Sequence, residues 1–256
     1  MKLGDIKTIG IMGGGMMGGG IAQTAVLAGY KVIVRDLNDE ILAKVKDTVT
    51  NGRFGLKGGV ERGKLTQEQM NQALANLSVT TRVEDLKDCD LIIEAIGGGL
   101  DGQLENKPLK LKVFAELDKT VKKGAIFASN TSRFTIADLA TAVERKSLFI
   151  GMHWFSPANI MKLVELIYTT DTSEEVIKVM EGICQRFGKT SVRVKDVPGD
   201  TGFISNRIFQ AVRDEAQKIV DEGIATEEDV DITMTLSRNW PAGPFGSRRS
   251  SRVGWD

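Results

Sequence analysis

Short runs of β-prone apolar residues alternate with longer stretches whose apolar positions recur at helical spacing, and the alternation continues through most of the chain. Strands are predicted at Asp5–Ile11, Tyr30–Val34, Ser78–Arg82, Asp90–Ile96, Ala125–Ser129, Leu148–His153, Lys162–Ile167 and Ser191–Lys195. Between them the helical spacing covers Met17–Leu27, Asp39–Asn51, a stretch ending near Leu77, Glu105–Lys122, Ile136–Val143 and a stretch ending near Phe187. Thr66–Gln69 and Thr172–Glu175 have the form of capping boxes and mark two of the helix starts. Two glycine-rich segments interrupt: Asn51–Lys64, broken and basic, and Gly97–Gln103, which reads as a mobile loop.

Strand and helix alternating without a repeat of fixed period imply an α/β fold, a doubly wound and mostly parallel sheet covered on both faces. At Asp196–Thr201 the pattern changes. Pro198 and Gly199 make a break, and the chain beyond it is helical, from Ile204 to Glu222 and from Glu227 to Leu236, the latter behind a third threonine box at Thr226. The expected division is therefore a sheet domain, 1–197, and a smaller all-helical domain, 198–256, which ends in a loop-like tail and reads as incomplete.

The first strand and helix are joined by glycines with the spacing G-x-G-x-x-G at Gly13, Gly15 and Gly18. Each has a role toward a bound dinucleotide, since Gly13 allows the tight turn, Gly15 lets the backbone approach a pyrophosphate, and Gly18 lets the helix sit close to the sheet. The helix N-terminus then offers its free N–H groups to the phosphates, with Met16 and Met17 counted among the cofactor contacts. Asp36 ends the second strand, where a carboxylate receives ribose hydroxyls and repels a 2′-phosphate, so NAD is expected over NADP. Strand, glycine turn, helix and acidic residue in this order give the fold its Rossmann-type reading.

Composition narrows the function. In 256 residues, 41% hydrophobic and 27% charged, the net charge is zero, which gives no basic footprint for a nucleic-acid partner. No apolar run approaches membrane-spanning length, and the N-terminus carries charge and glycine where a secretory signal has an apolar core; a cytoplasmic protein with no membrane partner is expected. Cys89 and Cys184 form no metal or redox spacing and are read as reduced packing residues. A single histidine leaves too few ligands for a metal centre.

That histidine, His153, ends an apolar strand, and twelve residues on Glu165 lies inside another. A carboxylate in such a strand needs a partner, because desolvating it alone is expensive. If strand, turn and strand bring the two together, Glu165 can hold one ring nitrogen while the other exchanges a proton with substrate, as oxidation of an alcohol by nicotinamide requires. A core histidine bonded to backbone and a water-facing glutamate are the alternatives, and neither explains both residues. Ser132, in the Ser129–Ser132 stretch after a strand, can reach a bound carbonyl or cap a helix. Asn206 opens the first helix of the second domain, as a cleft residue or an exposed one.

The glycine cluster with Gly20–Gln23, the stretch Ser129–Ser132, Gly151–Glu165 and Gly202–Arg207 together resemble the L-3-hydroxyacyl-CoA dehydrogenase family, including its bacterial 3-hydroxybutyryl-CoA members. The resemblance covers nearly the whole chain. It implies reversible, NAD-dependent oxidation of a 3-hydroxyacyl-CoA, with His153 as general acid/base, Glu165 as its orienting partner, and Ser132 and Asn206 holding substrate and histidine. It also implies cofactor contacts at Glu105, Lys110, Ser132 and Ser156, CoA contacts at Arg53, Lys57 and Ser132, and a homodimer. An oxidoreductase of a free hydroxy acid and a dinucleotide-binding protein without turnover are the other two readings. The chain departs from the family pattern in the Gly97–Gln103 loop, in the residues around Asp200–Gly202, and after Phe245, where the last family helices are expected.

Overall fold

The computed structural model describes residues 2–97, 105–199 and 202–246. The chain divides into two compact units, Met1–Asp200 and Thr201–Asp256. In the first, β1 (Thr8–Met12), α1 (Met16–Leu27) and β2 (Lys31–Arg35) lead to three helices, α2 (Asp39–Asn51), α3 (Leu56–Glu61) and α4 (Gln67–Ala75). There follow β3 (Leu77–Thr80), β4 (Leu91–Glu94), α5 (Lys107–Thr120), β5 (Ile126–Ser129), α6 (Ile136–Ala140), β6 (Phe149–Trp154), β7 (Leu163–Tyr168), α7 (Glu174–Arg186) and β8 (Thr190–Lys195).

The eight strands form one sheet in the order β3-β2-β1-β4-β5-β6-β7-β8. Pairing is parallel from β3 to β6, antiparallel between β6 and β7, and parallel again between β7 and β8. The order reverses between β1 and β4, the switch point outside which doubly wound sheets bind ligands. Strands β4, β5 and β6 are buried at every position, which explains their unbroken apolar runs: helices cover both faces. By contrast α2 buries only Leu42, Val45 and Val49 along one face, and Asn38 caps it by accepting from the Ile41 N–H at 2.9 Å. The core runs from Ile9, Ile11 and Val32 to Trp154 and, on α7 and at its end, Met180 and Phe187.

Three expectations are corrected. The broken segment Asn51–Lys64 contains a helix, α3, because Gly55 at its start and Gly63 (φ +66°) after it close a turn that buries Leu56. The Thr172–Glu175 box is not used: Thr172 donates its hydroxyl to the Phe149 carbonyl at 2.8 Å, and Ser173 caps α7 instead. Glu105 lies ahead of α5, whose cap is Asn106, accepting from the Leu109 N–H at 2.9 Å. Both other threonine boxes form, at Thr66 and Thr226.

The second unit holds α8 (Ile204–Asp221) and α9 (Glu227–Arg238) around Ala216, Val230 and Phe245. Asp231 fastens its end by accepting from the Phe245 and Gly246 N–H groups at 2.9 and 2.7 Å. Residues 98–103 of the expected mobile loop, Asp200 and Thr201 of the break, and the altered tail from 247 lie outside the described residues. Among the described residues no helix is long and apolar enough to cross a membrane.

Candidate active site

The parallel strands β1, β4, β5 and β6 all end on one edge of the sheet, and most of the side chains singled out in the first unit collect there. At the end of β1, Gly13 takes φ +104° and donates its N–H to the Arg35 carbonyl at 2.9 Å. A Cβ on Gly18 would lie 1.8 Å from the Gly13 carbonyl oxygen, so α1 begins this close to the strand only because that atom is missing. Over Gly15 the space is open for at least 4 Å. A cleft lined by Gly13, Gly15, Met16, Asp36, Leu37 and Ile96 occupies it. Asp36 is held in place, its Oδ1 accepting from the Leu37 N–H at 2.6 Å and its Oδ2 from the Gly14 N–H. This cradle fits a dinucleotide: a helix N-terminus facing open space receives the pyrophosphate, and a fixed carboxylate lies one strand away for a ribose. Met16 lines the cleft, whereas the Met17 side chain packs against the core and leaves only its backbone for a ligand.

Four strands along, β6 and β7 run antiparallel in a register that sets His153 directly opposite Glu165. His153 Nδ1 lies 2.7 Å from Glu165 Oε2, with the two side chains 6% and 1% exposed. A wholly buried carboxylate is tolerated only with such a partner. Because Nδ1 is committed to Glu165, Nε2 is the nitrogen suited to exchange a proton. The backbone beside the ring is fixed too, the Trp154 N–H donating to Asn130 Oδ1 at 2.9 Å.

Between cradle and histidine lies a second buried group of charges. Ser132 donates its N–H and hydroxyl to Glu105 Oε1 at 2.7 and 2.5 Å, and Lys110 Nζ stands 3.4 Å from Glu105 Oε2. Lys110 donates to Glu94 Oε1 at 2.5 Å and to the Ile96 carbonyl at 3.0 Å, while Glu94 accepts from Ser129 Oγ at 2.6 Å and from the Ile96 N–H at 2.7 Å. Burial alone would raise the Glu105 carboxyl, but Lys110 and the two Ser132 hydrogen bonds hold it below the usual carboxylate range. With 2% of its side chain exposed, Lys110 acts here through Glu94 and Glu105 and offers almost no surface of its own. Glu94 was not singled out in the sequence. The signal existed: like Glu165, it is a carboxylate alone in an apolar run, 91–96.

The remaining residues are placed less centrally. Ser156 Oγ lies 3.4 Å from Met16 Sδ at the mouth of the cleft. Arg53 and Lys57 are exposed, Arg53 over the Phe54 ring at 5.3 Å. Their segment adjoins the turn after His153, since the Phe54 carbonyl accepts from Gln23 Nε2 at 2.7 Å and Asn159 Nδ2 at 3.2 Å. Asn206 is exposed in the first turn of α8, in the second unit.

Residues 8–197 match the family model of the 3-hydroxyacyl-CoA dehydrogenase NAD-binding domain, and residues 202–254 that of the C-terminal domain. A probable 3-hydroxybutyryl-CoA dehydrogenase of Deinococcus radiodurans is 40% identical over 236 residues, 92% of this chain and 80% of that protein. The mitochondrial hydroxyacyl-coenzyme A dehydrogenase of Rattus norvegicus is 38% identical over 94% of this chain and 74% of its own length. The solved structure of (S)-3-hydroxybutyryl-CoA dehydrogenase from Ralstonia eutropha superposes with a TM-score of 0.85 at 37% identity, covering 93% of this chain and 80% of that one. With both domain models matched in order along the chain, the first over the sheet that carries the glycine cradle and the His153–Glu165 pair, the chain belongs to the 3-hydroxyacyl-CoA dehydrogenase family.

Proposed function

We propose that this chain oxidises the 3-hydroxyl of an L-3-hydroxyacyl-CoA, with a short acyl group such as 3-hydroxybutyryl, to the 3-oxoacyl-CoA, and catalyses the reverse reaction. The observation that carries this reading is the buried His153–Glu165 pair at 2.7 Å, on the edge of the sheet that also holds the cradle. Bound NAD supplies the hydride acceptor. His153 takes the hydroxyl proton on Nε2 as the C3–H bond breaks, and in reduction returns it to the new alkoxide. Glu165 holds the ring by Nδ1 and stabilises the imidazolium that forms. Ser132, oriented by Glu105, hydrogen-bonds the substrate oxygen, and Asn206 is assigned the same role from the helical domain. Glu105, backed by Lys110, and Ser156, beside Met16, would hold the nicotinamide half of the cofactor.

Asp36 gives the cofactor preference, because its carboxylate is fixed where a 2′-phosphate would bring a second negative charge. Arg53 and Lys57 are assigned to the CoA phosphates. The helical domain, 198–256, carries substrate contacts and the surface of a homodimer. The test monitors NADH absorbance with acetoacetyl-CoA and, in parallel, free acetoacetate. The reading predicts NADH consumption with the thioester only, and at least about tenfold slower consumption when NADPH replaces NADH, the effect of one unfavourable buried-charge contact. Turnover of free acetoacetate equal to that of the thioester contradicts it.

A further inference from the structure

The turn between β6 and β7, 155–162, is held from two sides. On one side it presses on α1. The Ala158 Cβ lies 3.1 Å from where a Cβ on Gly20 would stand, Asn159 Nδ2 donates to Gln23 Oε1 at 3.1 Å, and Ser156 reaches Met16, the first residue of the helix. On the other side is Lys189, the residue before β8, 6% exposed. Its Nζ donates to the Ala158 carbonyl at 2.7 Å and the Met161 carbonyl at 2.6 Å, and lies 5.5 Å from the centre of the Trp154 ring. The next N–H, of Thr190, donates to the Lys162 carbonyl at 2.8 Å.

A buried ammonium satisfied by carbonyls is costly, because among the described residues no ion pair offsets its desolvation. Stability alone does not account for it. Its position does: the turn it clasps begins two residues after His153 and leans on the helix whose N-terminus closes the dinucleotide cradle. We propose that Lys189 is a positioning residue for the cofactor: by fixing the Ala158 and Met161 carbonyls, its ammonium holds the 155–162 turn against α1 in the arrangement that receives the dinucleotide. The inference rests on the reading of the chain as an NAD-dependent dehydrogenase.

Burial pushes the Lys189 ammonium down to about 8; the Lys162 charge pushes the same way, and Cys184 acts in the opposite sense. Because the value falls on folding, the unfolded chain binds the extra proton above that pH, so this group's contribution to stability rises with pH between about 8 and 10.5. The clasp has the opposite sign. Loss of the charge leaves weaker neutral hydrogen bonds to the two carbonyls, so cofactor affinity falls over the range in which folding gains.

The test is NADH affinity of the whole chain, read by fluorescence titration between about pH 7 and 9.5, for the wild type, Lys189→Met and Lys189→Arg, with Tm measured beside each. The expected dissociation constant of the wild type rises about fivefold across this window, that of Lys189→Met is about tenfold weaker at pH 7 and flat, and that of Lys189→Arg is near the wild-type value and flat, as losing or keeping a charge-assisted hydrogen bond implies. A Lys189→Met variant that binds NADH as the wild type does, whatever its Tm, overturns the inference. Should that variant not fold, Lys189→Arg decides: a flat profile supports the clasp, and a rise matching the wild type refutes it. Wild-type protein that binds NADH without turning over acetoacetyl-CoA defeats the dehydrogenase reading and leaves the Lys189 comparison standing; absence of NADH binding defeats both.

Discussion

Two glutamates stand alone in apolar strands on the same edge of the sheet, and both are wholly buried, yet their partners differ in kind. Glu94 on β4 meets Lys110, a lysine amine delivered by α5, together with Ser129 and a backbone N–H. Glu165 on β7 meets His153, a ring that is charged only while it holds a second proton. The first pair ties the ends of β4 and β5 to a helix. The second sets beside a buried carboxylate a ring whose other nitrogen can take up and release a proton, which suits it to proton transfer. Burial alone therefore does not separate a structural carboxylate from a functional one; the partner's chemistry does.

Substitutions break the comparison in opposite ways. Glu165→Gln keeps an acceptor for Nδ1 but removes the charge that stabilises the imidazolium, so kcat is expected to fall about 100-fold with little change in NADH affinity, as steady-state kinetics and a binding titration would register. Glu94→Gln removes the nearer of the two carboxylates that face the buried Lys110 charge and leaves Glu105 at 3.4 Å, at a cost of up to about 3–5 kcal/mol, so Tm should drop by as much as roughly 10 °C while kcat at a temperature well below Tm stays within about tenfold. Adding Lys110→Met to it should recover part of that Tm, and failure to do so would show that the two side chains are not coupled.

A third carboxylate differs from both because it lines the open cleft. Asp36 takes two backbone N–H groups, and Asp36→Ala is expected to weaken NADH by about tenfold while narrowing its advantage over NADPH, measured as a ratio of dissociation constants. The smallest effect concerns acid. Asp90, Glu105 and Asp118 are all held below their usual range against the cost of burial, by Lys122 and the N–H groups of Thr8 and Lys7, by Lys110 and Ser132, and by the Glu144 N–H and Arg145, respectively. The stability they add is present above the ordinary carboxylate range, about pH 4, and is lost as pH falls through it toward their lower folded values, so an acid titration of Tm should steepen there.

How much the sequence made legible depends on the range of each signal. The cradle is local: its glycines, α1 and Asp36 fall within one strand-helix-strand unit, and each is recognisable by what its side chain lacks or carries. The His153–Glu165 pair was legible because both residues sit in adjacent strands joined by a short turn. Glu94 was missed since its partner arrives from a helix sixteen residues on, and Lys189 because nothing in a Gly-Lys pair after a helix tells which carbonyls it will meet. The short helix α3 was hidden by glycines that cap it, and the Thr172 box failed because a tertiary partner, the Phe149 carbonyl, took the hydroxyl that local sequence assigned to a cap.

In the proposed reaction the His153–Glu165 pair performs the proton transfer. The decisive experiment is the kcat of His153→Gln for NADH oxidation with acetoacetyl-CoA, beside its NADH dissociation constant. A loss of about 10²–10⁴-fold in kcat with unchanged NADH binding is the predicted result. Turnover within a few-fold of the wild type would contradict the account and return His153 to the core as a packing residue.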